Sequence, residues 1–166
     1  MHPLHHPLFI QYIINFNFHE DYFECHEVGE EYWKSVAPKD KMHPLAGWIQ
    51  MAVGMYHWRR SNFPGALRSF IRAKDKLSNA GAWTDGFDSA ALSAQLAEAI
   101  EGVTARRDFT ATKLPIISEE LVQAVNRYMA DNPSETLEPY FLMHKHRLRD
   151  RSSIINLREQ KKRRKL

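Results

Sequence analysis

Residues able to act as acids, bases or metal ligands gather in one short stretch. Positions 17 to 33 hold six carboxylates, Glu20, Asp21, Glu24, Glu27, Glu30 and Glu31, with His26 among them and no Lys or Arg. Inside it, His26-Glu27-x-x-Glu30 sets an imidazole and a carboxylate one helical turn apart. Two imidazoles at that spacing, with a Glu between them, hold zinc beside a general base. Here Glu30 stands where the second imidazole would be. His26 and Glu30 would offer one nitrogen and one oxygen to a metal, with His57 as a third ligand and Glu27 as the base of a metal-dependent hydrolase. The competing expectation is a buried His26–Glu30 hydrogen-bonded pair that fixes the register of two helices. It is favoured, because no second His stands one turn along this segment and no Cys cluster completes a ligand set.

The elements that must position these groups are helical. Strict apolar–polar alternation is absent, and Asp85-Gly86 lies between helical patterns rather than between β-branched runs. The spacing predicts helices over about 7–16, 20–36, 44–60, 62–79, 86–104 and 119–131. Pro38 and Asp131-Asn132-Pro133 act as stops, Gly81 follows the fourth helix, Ser61 or Asn62 caps that helix, and Ser118 caps the sixth. On a wheel, Tyr22, Cys25, Gly29, Tyr32, Trp33 and Val36 form the apolar arc of the second helix. His26 and Glu30 lie at its edge, and Glu24, Glu27 and Glu31 lie opposite.

The third helix is apolar nearly all round, which predicts a central position. Its exceptions, Gln50 and His57, share one stripe, flanked by Gly47 and Gly54, where a neighbour can approach closely. Unpaired buried polar groups cost about 1 to 3 kcal/mol each, so His26, Glu30, Gln50 and His57 are expected in one cluster. The expected pocket comprises His26, Glu27, Glu30, Trp33, Gln50, His57 and Asn62. Cys25 lies 100° round the helix from His26, a poor geometry for a nucleophile pair, and reads as a small core residue. His2, His5 and His6 read as a frayed terminus able to take up metal opportunistically.

The run Phe16-Asn17, Asp21-Tyr22-Phe23-Glu24-Cys25-His26-Glu27-Val28-Gly29-Glu30-Glu31-Tyr32-Trp33, followed by Gln50, Ala52, His57, Asn62, Gly65 and Ala66, resembles the domain-of-unknown-function family 309 over about residues 15 to 80. The resemblance implies a small, cytosolic, all-helical protein with a polar pocket at His26, Glu27 and Glu30, and implies no reaction. Gly54, Ala66, Phe70 and Ala73 also fall at the packing spacings of a tetratricopeptide helical hairpin. A second copy 34 residues on is missing, so no repeat array is expected.

Length and composition bound the rest. At 166 residues, 43% hydrophobic and 26% charged, the chain has room for one core and is neither disordered nor collagen-like. One cysteine makes no internal bridge and fits a cytoplasmic, reducing setting. No signal peptide or membrane span is read. Residues 145–166 hold ten Lys or Arg against two acids, a net +8, while the whole chain is only +3, so the remainder carries −5. The division expected is a single helical domain over 1–146 and a basic, weakly ordered tail over 147–166. In that tail Lys161, Lys162, Arg163, Arg164 and Lys165 would either attract polyanions or serve as a solvated segment that balances the acidic body. The reading as a whole is an all-α bundle of five to six helices acting as a binding or interaction module. Its partner would be a small molecule or a protein, with no cofactor, and whether it is an enzyme stays open.

Overall fold

The computed structural model describes residues 2–133. The expected domain boundary at 146 and the basic cluster at 161–165 lie outside the described residues. Helix α1 (Pro7–Ile14) starts where Pro7 supplies a preset φ and the His6 ring accepts the Leu8 N–H at 3.1 Å. Five of its eight residues, Phe9, Ile10, Tyr12, Ile13 and Ile14, are buried. It passes into a π-helical turn, Asn15–His19, released by Glu20 in the left-handed region.

The Asp21 carboxylate accepts the Glu24 N–H and opens α2 (Tyr22–Val36). Tyr22, Cys25, Val28, Gly29 and Tyr32 turn inward. The wheel is corrected at its end: Val36 is 48% exposed, because no neighbouring element covers the last turn, and Val28 takes its place in the core. A Cβ on Gly29 would come within 2.9 Å of Ile49, so α2 and α3 (Pro44–Arg59) pack with little between them.

Helix α3 is central as expected. From Leu45 to Trp58 every residue is buried except Ala46, Gln50, Val53 and His57, which form one stripe. Ser61, at φ 60°, turns the chain into α4 (Phe63–Leu77), capped by Asn62. The two helices form the hairpin that the small-residue spacing predicts. A Cβ on Gly54 would strike the Phe70 ring at 2.6 Å, and one on Gly47 would meet Leu77 and Lys76 at 2.9 Å. Ala66, Phe70 and Ala73 are fully buried in this contact.

A short 3-10 turn (Gly81–Thr84) leads to α5 (Ser89–Thr104), which starts three residues later than expected because the Asp88 side chain caps it and Phe87 instead bridges Ile116. That isolated bridge is the extent of β pairing among the described residues. Helix α6 (Glu119–Asp131), capped by Ser118, buries Leu121 and Val125 and packs on α1. The core joins distant segments: Tyr12 Oη donates to the Trp48 carbonyl at 2.6 Å, Trp48 Nε1 to the Trp83 carbonyl at 3.0 Å, and Leu114 N to Asn17 Oδ1 at 2.9 Å. Among the described residues no helix is long and apolar enough to cross a membrane.

Candidate functional site

The uncovered stripe of α3 is the floor of a trough whose walls are α2 and α4. A cavity of about 450 Å³ opens there, lined by His26, Glu30 and Trp33 from α2, Lys41 from the preceding loop, Ala46, Ile49 and Gln50 from α3, and Arg72 and Lys76 from α4. The helix periodicities explain the convergence. His26, Glu30 and Trp33 stand at successive turns of α2, Ala46 and Gln50 one turn apart on α3, and Arg72 and Lys76 one turn apart on α4.

His26 is held on its own helix. Its Nε2 lies 3.3 Å from a Glu30 oxygen and its Nδ1 3.3 Å from Glu27. Glu30 also receives Lys34 Nζ at 2.8 Å. The Lys34 hydrogen bond, more than the charges of His26 and Lys34, holds the Glu30 carboxyl below its ordinary range, against the opposing effect of partial burial. The pair expected to be buried in the core is thus at a rim: the His26 and Glu30 side chains are each 34% exposed. The cost of a few kcal/mol that full burial would attach to losing Glu30 does not carry over to such a position. Trp33 presents a fixed ring, its Nε1 donating to the Asp40 carbonyl at 2.8 Å.

Of the seven residues expected in one pocket, four, His26, Glu30, Trp33 and Gln50, line this cavity. Glu27 lies beside it, bonded to His26 and 47% exposed. His57 and Asn62 do not line it. His57 is two turns, about 10 Å, beyond Gln50 along the axis of α3. It pairs with Asn62, whose amide nitrogen is 3.1 Å from His57 Nδ1 while its oxygen accepts the Gly65 N–H at 3.2 Å. The expected four-residue cluster is therefore split by helix rise. Among the described residues no group of three or more His, Cys, Asp or Glu is placed to hold a metal ion.

One part of the site was missed in the sequence. Lys41, Arg72 and Lys76 complete the trough, and cations on an amphipathic helix read as ordinary solvent-facing residues. Outside the site, His2 and His6 at the amino terminus are structural. His2 Nδ1 accepts the Leu4 N–H at 3.2 Å and His43 Nδ1 accepts Leu45 N–H at 3.1 Å, as His6 does for Leu8. Each precedes a proline at a helix start, a His-Pro signal present three times in the sequence. Cys25 is buried, its Sγ donating to the Tyr12 carbonyl at 3.4 Å.

A family model described as a domain of unknown function, DUF309, matches residues 9–69, which contain all seven of the residues expected in the pocket. The chain is also 36% identical over 159 residues to the uncharacterized protein YpuF of Bacillus subtilis (strain 168), with 91% of each chain covered. The chain belongs to the DUF309 family. The likeness to its relative runs well past the matched segment. Within the family-matched span lie most of α1, all of α2 and α3, and the first half of α4. Arg72 and Lys76, which close the trough, stand just beyond it. No solved structure matches the chain.

Proposed function

We propose that this DUF309 member is a cytoplasmic binding module whose ligand is a small molecule seated in the trough between α2 and α4. The observation that carries this reading is the convergence of His26, Glu30, Trp33 and Gln50 on one cavity of about 450 Å³, within the size range of small-molecule sites. The lining sets a small apolar patch, Ala46, Ile49 and the Trp33 ring, among six polar or charged side chains, which supports a polar ligand with a short carbon skeleton. A metal-dependent hydrolase built on His26, Glu27, Glu30 and His57 receives less support. His57 sits two turns away with its Nδ1 engaged by Asn62, so the third ligand does not arrive. The single cysteine, buried and bonded to a carbonyl, supports the cytoplasmic setting.

Amide chemical-shift mapping with a panel of small charged and neutral metabolites tests the reading. The expected shifts fall on His26, Glu30, Trp33 and Gln50 and vanish in Ala46→Trp, which fills the cavity from its floor, while the helical circular-dichroism spectrum is retained. Shifts that cluster elsewhere, or that survive the filled cavity, overturn it.

A further inference from the structure

The trough is electrically divided. Its α2 wall carries His26 and Glu30, and the exposed acids Glu27 and Glu31 continue along the same helix. The α4 side and the loop contribute Arg72, Lys76 and Lys41. Glu30 is already neutralised on its own helix by Lys34, at 2.8 Å. The three cations across the cavity form no ion pair with any carboxylate among the described residues. The lining therefore holds a positive surplus, with two of its cations one turn apart on α4 and the third on the loop that follows α2. Partial burial, and after it the nearby Arg72 charge, make the Lys76 ammonium harder to keep protonated, with Asp75 opposing them, and an anion here would offset both.

We propose, resting on the binding-site reading above, that the ligand is a small organic phosphate whose other end carries a hydroxyl or amine. The phosphate lies against Arg72, Lys76 and Lys41. An Arg fork beside two ammonium groups suits a dianion with several acceptor oxygens better than a single carboxylate. The opposite end donates to the Glu30 carboxylate beside His26, and the carbon skeleton between them rests on Ile49, Ala46 and the Trp33 ring. A nucleic-acid backbone does not fit this arrangement, because the cations sit in a cavity beside Glu30 rather than along an extended stripe.

Calorimetry and amide-shift titrations with inorganic phosphate, O-phosphoethanolamine and ethanolamine test the assignment. Phosphoethanolamine should bind about tenfold more tightly than inorganic phosphate, the difference a charge-assisted contact supplies, and ethanolamine should not bind measurably. Arg72→Gln combined with Lys76→Gln should weaken both phosphates at least about tenfold. The helical circular-dichroism spectrum and melting temperature of the combined variant, with Arg72→Gln alone as a second, exposed-site variant, keep loss of binding distinct from loss of fold. Glu30→Gln should remove the advantage of phosphoethanolamine while leaving inorganic phosphate unchanged. Phosphate affinity that ignores the Arg72 and Lys76 substitutions overturns the proposal. If ethanolamine or a neutral metabolite occupies the trough and neither phosphate does, the phosphate assignment fails and the binding-site reading stands. If no probe of any charge moves the trough amides, both fail.

Discussion

The side-chain amide of Asn62 donates to His57 Nδ1 across 3.1 Å and, through its oxygen, takes the Gly65 N–H at 3.2 Å. One side chain thus ties the last turn of α3 to the first turn of α4 across Ser61, which sits at φ 60°. Because the oxygen is used by the backbone, the nitrogen faces His57, and Nδ1 must be the acceptor with the ring proton on Nε2. His57 is a fastener of the hairpin. A Cβ on Gly65 would lie 2.6 Å from the Asn62 nitrogen, so the Asn62-x-x-Gly65 spacing serves this turn rather than a ligand.

Removing that fastener should be measurable in urea. Asn62→Ala loses the cap and the His57 bond together and should cost about 1 to 2 kcal/mol, whereas Asn62→Ser keeps a capping oxygen and should recover most of it. Equal losses for the two variants would mean that the His57 bond, not the cap, dominates.

Acid should weaken the fold through neutral imidazoles. His43 and His57 both accept hydrogen bonds through Nδ1, and burial pushes both below the ordinary 6.5. Arg60 and Arg68 push His57 the same way, and Asp40 opposes the shift at His43. The unfolded chain then binds more protons than the folded one between the folded values and 6.5. This contribution is complete above the unfolded value and is lost as the pH falls through that window. The urea midpoint should drop between about pH 7 and pH 5, and His43→Asn with His57→Gln should flatten the slope. An unchanged slope in the double variant would place the titration on other groups.

Much of the fold was legible from the residues. All six helices are found, because their apolar stripes and caps are local signals: Asn62, Ser118 and Pro44 act where they stand. The site was legible only in part, for a geometric reason. A wheel reports angle and not height, so Gln50 and His57 share a stripe on α3 yet serve different places, the cavity and the turn. Glu30 was turned to the correct side but not to the correct depth, since depth depends on how far α4 stands from α2. The amino-terminal histidines were misread because Nδ1 acceptance from the residue two places on is a property of His-Pro that composition does not reveal.

The basic segment remains a proposal of charge alone. With a net +8 over residues 145–166 against −5 elsewhere, attraction to polyanions should reside there and weaken steeply with salt. Deleting residues 147–166 should abolish heparin retention at low salt and leave the melting temperature nearly unchanged. Retention by the truncated chain would point to a basic surface on the body, and unfolding would show that the segment is part of the core.

The placement of α1 bears on how this chain is made. Phe9 meets Phe87 at 6.3 Å between ring centres, Trp48 meets Phe87 at 4.8 Å, and Asn17 is bonded to Leu114. Translation runs at about 5 to 20 residues per second, so α1 leaves the ribosome several seconds before those partners exist. Closing such long loops also makes folding slower than in bundles of sequential hairpins. A nascent chain that ends at residue 69, where the family-matched span ends, has the α1–α3 aromatic faces but not the residues that cover them. That stretch therefore lacks the Phe87 ring against Phe9 and Trp48 and the Leu114 amide on Asn17, and these contacts form last.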